Sequence, residues 1–152
     1  MNTDKKISRR EALKRMGFAV MSSAIASSGL LSLASCETKR SKRIIFYFTG
    51  TGNSLYIARQ LAGENAELLS IPQMVKRGKY EFEADEIGIV YPIYGHMPPY
   101  MVRQFIQKAK LKAEYKFAVL TYGARKCDAV EIWDRISRKA DNAFDYISTI
   151  IM

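Results

Sequence analysis

Residues 46–54 read F-Y-F-T-G-T-G-N-S. They close an apolar run, Ile44–Phe48, that is rich in β-forming residues and reads as a strand buried on both faces. Hydroxyls and glycines then alternate, and helical spacing starts at Ser54. Over Ser54–Ala62 it places Leu55, Ala58, Leu61 and Ala62 on one face, with Gly63 positioned to end the helix. Strand, glycine-rich turn and helix in that order are the first half of a β-α-β unit, so this stretch decides the fold class.

The pattern repeats downstream. Ala66–Ile71 reads as a second strand, and the polar stretch 72–84 as a loop with at most a turn of helix. Glu86–Tyr91 contains I-G-I-V-Y, a third buried strand. Pro98–Ala109 carries Met101, Val102, Phe105, Ile106 and Ala109 as an apolar helical stripe that reads as core. Phe117–Thr121 is a fourth strand. Asp128-x-x-Glu131 has the form of a capping box opening a helix that buries Val130, Trp133, Ile136 and Ala140. Asp145–Met152 is a fifth strand. Strands alternating with helices predict a doubly wound α/β domain around a parallel sheet. No helix follows the fifth strand, so part of one sheet face or one sheet edge is expected to be bare.

Composition excludes several functions. The 152 residues are 48% hydrophobic and 26% charged, as in globular domains. Cys36 and Cys127 are the only cysteines and His96 the only histidine. That rules out a disulfide framework, a Cys-rich zinc site and a four-Cys iron–sulfur cluster, makes a Cys/His metal site a poor fit, and no metal site or catalytic residue is assigned. Cys127, beside Arg125 and Lys126, has no Cys or His partner and reads as a free thiol. The net charge of +9 suits an anionic surface, yet no nucleic-acid-binding motif accompanies it.

The N-terminus has the order of an export signal. Residues 5–15 are polar and basic, and residues 16–35 are small and weakly apolar. Ser8-Arg9-Arg10-Glu11-Ala12-Leu13-Lys14 resembles a twin-arginine motif, with Ala12 where Phe is commonest. Leu33-Ala34-Ser35-Cys36 resembles a bacterial lipobox, which makes Cys36 the lipidated first residue of the mature chain. The expected organisation is a signal over 1–35, a basic tether over 36–43 and a domain over 44–152. The tether 37–43 reaches at most about 25 Å, which places Lys39, Arg40, Lys42 and Arg43 near headgroups. The expected location is the cell envelope, by a twin-arginine or a general secretory route.

In a doubly wound sheet, ligands bind at the carboxyl ends of the strands. A loop there, leading into a helix, offers free backbone N–H groups and the positive end of a helix dipole. Thr49, Thr51 and Ser54 add hydroxyls, Asn53 an amide, and Gly50 and Gly52 room for backbone approach. All these donors are neutral. The Lys of a Walker loop and the third Gly of a dinucleotide fingerprint are both missing. The set suits a terminal phosphate monoester, and a plain capped strand–helix turn is the competing reading.

The stretch I-I-F-Y-F-T-G-T-G-N-S-L-Y-I-A-R resembles the first strand, phosphate loop and first helix of the flavodoxin-like family. It is most similar to the flavodoxin domain of flavodoxin–ferredoxin fusion proteins. The resemblance covers residues 43–152 and implies a five-stranded sheet in the order 2-1-3-4-5. It also implies FMN as cofactor, with Thr49, Gly50, Thr51, Gly52, Asn53 and Ser54 around its phosphate. Y-P-I-Y-G-H-M-P-P at 91–99 is similar to one flavin-flanking loop of the family, implying roles for Pro92, Ile93, Tyr94 and Gly95. T-Y-G-A at 121–124 is similar to the other, implying Thr121, Tyr122 and Gly123. Tyr94 and Tyr122 are the stacking candidates, with ordinary loop aromatics as the alternative. The family's last helix and the fusion's two Cys clusters are not in this sequence, and the basic charge departs from acidic shuttle flavodoxins. The expected function is an FMN-binding electron carrier on a lipid anchor, with a redox protein or quinone as partner. An FMN-dependent quinone or NAD(P)H reductase and a truncated, cofactor-free remnant are the alternatives.

Overall fold

A computed structural model describes residues 41–152. The signal, the lipobox with Cys36 and the first part of the tether lie outside the described residues. Six strands and four helices follow one another: β1 (Ser41–Tyr47), α1 (Asn53–Ala62), β2 (Ala66–Ser70), α2 (Ile71–Arg77), β3 (Glu81–Pro92), α3 (Tyr100–Lys108), β4 (Lys110–Lys112), β5 (Tyr115–Tyr122), α4 (Ala129–Lys139) and β6 (Tyr146–Ile151). The sheet order is β2-β1-β3-β5-β6, all parallel, with β4 as a short branch on β3. Leaving out the branch, this is the expected 2-1-3-4-5 arrangement.

The register explains why the central strands read as unbroken apolar runs. Ile45 pairs with Gly88 and Phe46 with Ile89, while Val90 pairs with Val119. Ile44, Ile45 and Phe46 are all buried, as are all residues from Ile87 to Tyr91. Odd and even positions feed two cores. On one side Ile45, Val90 and Val119 pack under Ala58 and Ala62 of α1. On the other, Phe46, Ile89, Tyr91 and Leu120 meet Met74 of α2, Val102, Phe105 and Ile106 of α3, and Trp133 of α4. The rings of Tyr91 and Trp133 lie 4.9 Å apart, and those of Phe46 and Phe105 5.0 Å.

Several elements differ from the sequence reading. β1 starts at Ser41, inside the stretch expected as tether. The expected loop 72–84 contains α2 and the start of β3. Pro72 fits the first turn of α2, where its missing N–H is harmless, and Gly78, at φ 65°, ends the helix. Phe82 and Ala84 alternate with acidic residues and are buried, a period-two pattern hidden by its charge. Ile71 starts α2 instead of ending β2. Met101 is 41% exposed and belongs to the outer face of α3, so the core stripe there is Val102, Phe105 and Ile106. In α4, Ala129, Trp133 and Ser137 are buried, whereas Val130, Ile136 and Ala140 are half-buried.

β4 pairs with β3 over Glu81–Glu83, and Leu111 is also bonded to Asn142, which braces the strand. Asn142 is buried, its Oδ1 accepts from the Leu111 N–H at 3.2 Å, and its Nδ2 donates to the carbonyls of Ile106, Ala109 and Ala140. One side chain thus ties the ends of α3 and α4 to the branch strand, its amide nitrogen shared among three carbonyls and its oxygen accepting one N–H.

A candidate anion and cofactor site at the carboxyl end of the sheet

The carboxyl ends of β1, β3 and β5 open into three loops, and all three meet. The Phe48 N–H donates to the Val90 carbonyl at 2.9 Å, and the Ile93 N–H to the Thr121 carbonyl at 2.8 Å. Ser54 Oγ and Thr121 Oγ1 lie 2.8 Å apart, both buried. Between the loops is a cavity of about 230 Å³, lined by Thr49, Gly50, Thr51, Asn53, Ser54, Pro92, Ile93, Tyr94, Thr121, Tyr122, Gly123 and Met152. Of the site residues expected from the sequence, Gly52 and Gly95 are the two that do not line it.

Each glycine outside the lining shapes a turn. Gly52 caps α1 at φ 100°, a conformation that places the helix start against the loop. Its own N–H donates to Thr49 Oγ1 at 2.9 Å, so that amide is spent inside the loop. Gly95, at φ 53°, and His96, at φ 73°, form the left-handed centre of a tight turn in which Tyr94 and Met97 exchange backbone hydrogen bonds.

The first backbone bond of α1 runs from the Tyr56 N–H to the Gly52 carbonyl. The amides of Asn53, Ser54 and Leu55 therefore precede the helical ladder. No acidic residue stands in that first turn. The positive end of the α1 dipole and the hydroxyls of Thr49, Thr51 and Ser54 thus converge with no negative charge among them, which is the chemistry of an anion cradle. Gly50 shows why a side chain is unwelcome there: a Cβ would sit 2.6 Å from Tyr94 Oη. Tyr94 leans across the loop, its hydroxyl close to Gly50, while remaining 52% exposed beside the cradle.

A second contact joins the loops that follow β3 and β5. His96 Nδ1 and Asp128 Oδ1 are 3.1 Å apart. Asp128 begins α4 but makes no side-chain cap bond, so the expected capping box is not formed. Its carboxylate is turned instead toward His96, and that hydrogen bond holds the Asp128 carboxyl below the ordinary aspartate range. Beside it Cys127 is an exposed free thiol in the left-handed region at φ 45°. Tyr91, read as core, is fully buried, and burial pushes its phenol well above the usual value.

Met152 was not legible as a site residue. It reaches the cavity because β6 pairs with β5 as far as Tyr122 and Ile151, and its N–H then donates to the Tyr122 carbonyl at 2.9 Å. Only the pairing register carries that information. Among the described residues no cluster of metal-ligating side chains occurs, and no helix is long and apolar enough to cross a membrane.

No family model matches the sequence, and no curated protein matches it. Solved structures do. A flavoprotein in complex with FMN from Lactobacillus acidophilus superposes with a TM-score of 0.53 at 12% identity, over 72% of this chain and 93% of that one. Two-electron reduced Megasphaera elsdenii flavodoxin gives 0.52 at 16% identity, over 70% and 84%. The Trp repressor binding protein from Bacillus subtilis gives 0.52 at 12%, over 73% and 85%. At such identities the likeness speaks for architecture: residues 41–152 have a flavodoxin-like α/β fold.

Proposed function

We propose that the chain is an FMN-binding, flavodoxin-like electron-transfer domain, exported to a bacterial cell envelope and tethered to a membrane through lipidated Cys36. The observation that carries the cofactor is the cradle formed by residues 49–54: neutral donors and a helix N-terminus around a small cavity at the carboxyl end of the sheet. Its volume, about 230 Å³, is below the roughly 300 Å³ of typical whole-ligand pockets. It suits a phosphate and the polar chain attached to it. Tyr94 and Tyr122 are the residues that would flank a flat ring, and one structural neighbour, the Lactobacillus acidophilus flavoprotein, is a complex with FMN. Bound FMN supplies one- and two-electron chemistry. The chain's residues contribute binding, orientation and the polarity around the cofactor. Their neutrality fits a phosphate monoester held by hydrogen bonds alone.

The anchor is supported by Leu33-Ala34-Ser35-Cys36 behind a basic, weakly apolar N-terminus. A redox protein or a quinone is the proposed partner. FMN titration of the full chain, followed by flavin fluorescence, tests the cofactor. One-to-one binding that riboflavin does not reproduce, and that Thr51→Ala weakens, is expected. Equal affinity for riboflavin and FMN would remove the phosphate cradle. Steady turnover of NAD(P)H with a quinone would make the chain a reductase instead of a carrier. Mass spectrometry of the envelope form tests the tether, which requires a lipid on Cys36 and its loss in Cys36→Ser.

A further inference from the structure

All strands of the sheet are parallel, so the end opposite the cavity gathers the strand starts and the helix C-termini. Among the described residues each helix carries basic residues in its last turn: Arg59 in α1, Lys76 and Arg77 in α2, Lys108 in α3, Arg138 and Lys139 in α4. One such cation per helix is what a helix dipole favours. The corner where α2 and α3 end holds more than that. Lys76, Arg77, Lys79 and Lys108 are exposed, and none makes an ion pair among the described residues. Lys79 lies over the Phe82 ring and Lys108 over the Tyr80 ring, at 5.1 and 5.6 Å. Between them is an open crevice of about 490 Å³, lined by Gly78, Lys79, Tyr80, Glu81, Lys108 and Lys110. The acid in that lining, Glu81, is neutralised by Lys110 at 2.8 Å.

We infer that this corner docks on the anionic surface of a lipid bilayer, with Lys76, Arg77, Lys79 and Lys108 against headgroup phosphates and the cofactor cavity turned away from the membrane. Charge complementarity is one argument. The other is reach. β1 begins at Ser41 at this same end of the sheet. Between Cys36 and Ser41 the chain spans at most about 18 Å, so a bilayer holding Cys36 meets this end of the domain. Asp85 and Glu86 of the same end lie round Arg43 and Ala62, under α1, away from the lysine corner. The orientation rests on the anchor proposed above, whereas the charge pattern is independent of it. Pointing the cavity outward leaves Tyr94 and Tyr122 accessible to a soluble redox partner.

The test uses the full chain with phosphatidylcholine vesicles, with and without about one-third phosphatidylglycerol. Binding to the neutral vesicles reports the anchor; of the gain on adding the anionic lipid, the part lost in Lys79→Gln/Lys108→Gln reports the corner, and the remainder belongs to the basic tether. The expected gain is salt-sensitive. It falls roughly 30-fold in Lys79→Gln/Lys108→Gln, at about fivefold per cation. Arg125→Gln/Lys126→Gln, at the cavity end, leaves it unchanged. Lysine acylation with a water-soluble reagent gives the orientation: Lys76, Lys79 and Lys108 are protected on anionic vesicles, and Lys126 is not. Anchoring with all four lysines equally labelled would overturn the docking face and leave the anchor standing. No gain on anionic vesicles, or a gain insensitive to Lys79→Gln/Lys108→Gln, overturns it as well. A gain without binding to neutral vesicles keeps the face and removes the anchor.

Discussion

Gly50 and Gly52 stand two residues apart and do different work. A Cβ at Gly52 meets nothing within 4 Å, but its φ of 100° strains any other residue. Gly52→Ala is expected to lower stability by about 1–2 kcal/mol, read by denaturant unfolding. A Cβ at Gly50 meets only the hydroxyl end of Tyr94. That side chain is half in solvent and free to swing, so Gly50→Ala is expected to change stability by less than about 0.5 kcal/mol. It should still weaken FMN binding, because the methyl enters the cradle and displaces Tyr94. An unfolding curve and a flavin titration on the two variants separate the effects. The reverse pattern, with Gly50→Ala the destabilised one, would mean that the Tyr94 position is rigid. The T-G-T-G spacing announced both glycines, but it did not show that one lines the cavity while the other sets the backbone.

At the scale of elements, single side chains join segments far apart in sequence. Asn142 connects the last turns of α3 and α4 to β4. Asn142→Ala strands the Leu111 N–H and the carbonyls that the amide served, and is expected to lower stability by at least about 2 kcal/mol. Exchange protection at Leu111 should fall with it, which a uniformly softened fold would not single out. The His96–Asp128 contact does for two loops what Asn142 does for two helices. Because the folded-state Asp128 carboxyl is held low by His96, its contribution is present above the ordinary aspartate pKa. It is lost as pH falls through the lowered folded value. His96→Ala is expected to return the Asp128 titration toward the usual range, measured by carboxyl NMR. An unchanged Asp128 titration in that variant would dismiss the contact as incidental. The sequence showed Asp128-x-x-Glu131 as a capping box because local chemistry permits it. A histidine 32 residues away competed for the same carboxylate.

At the scale of the molecule, the two faces of the sheet are unequally covered among the described residues. Three helices lie over Phe46, Tyr91 and Leu120, and one lies over Ile45, Val90 and Val119. On the lightly covered face Tyr115 and Tyr146 are 42% and 54% exposed, beside half-buried Phe117 and Ile150. Stability should therefore be concentrated on one side. Trp133→Ala removes the largest fully buried side chain and is expected to lower stability by about 3–5 kcal/mol. Tyr146→Lys is expected to change it by less than about 0.5 kcal/mol. Thermal unfolding of both variants checks the contrast, and a large loss in Tyr146→Lys would show that this face is covered in solution.

The sequence by itself determined the alternation of strands and helices, the buried central strands and the composition of the first loop. These are local properties: continuous apolar runs, helical spacing, and residue types suited to a turn. It also carried the α2 helix and the early start of β3, through Pro72, Gly78 and the alternation around Phe82, but mixed charge over 72–84 masked them. Tertiary structure alone decided the rest. Which loops meet, that Met152 reaches the cavity, that Met101 turns outward, that Asp128 serves His96, and that four cations share one corner all depend on pairing register and on which faces the sheet buries. Those choices are made by contacts between residues distant in the chain, and no window of neighbouring residues contains them.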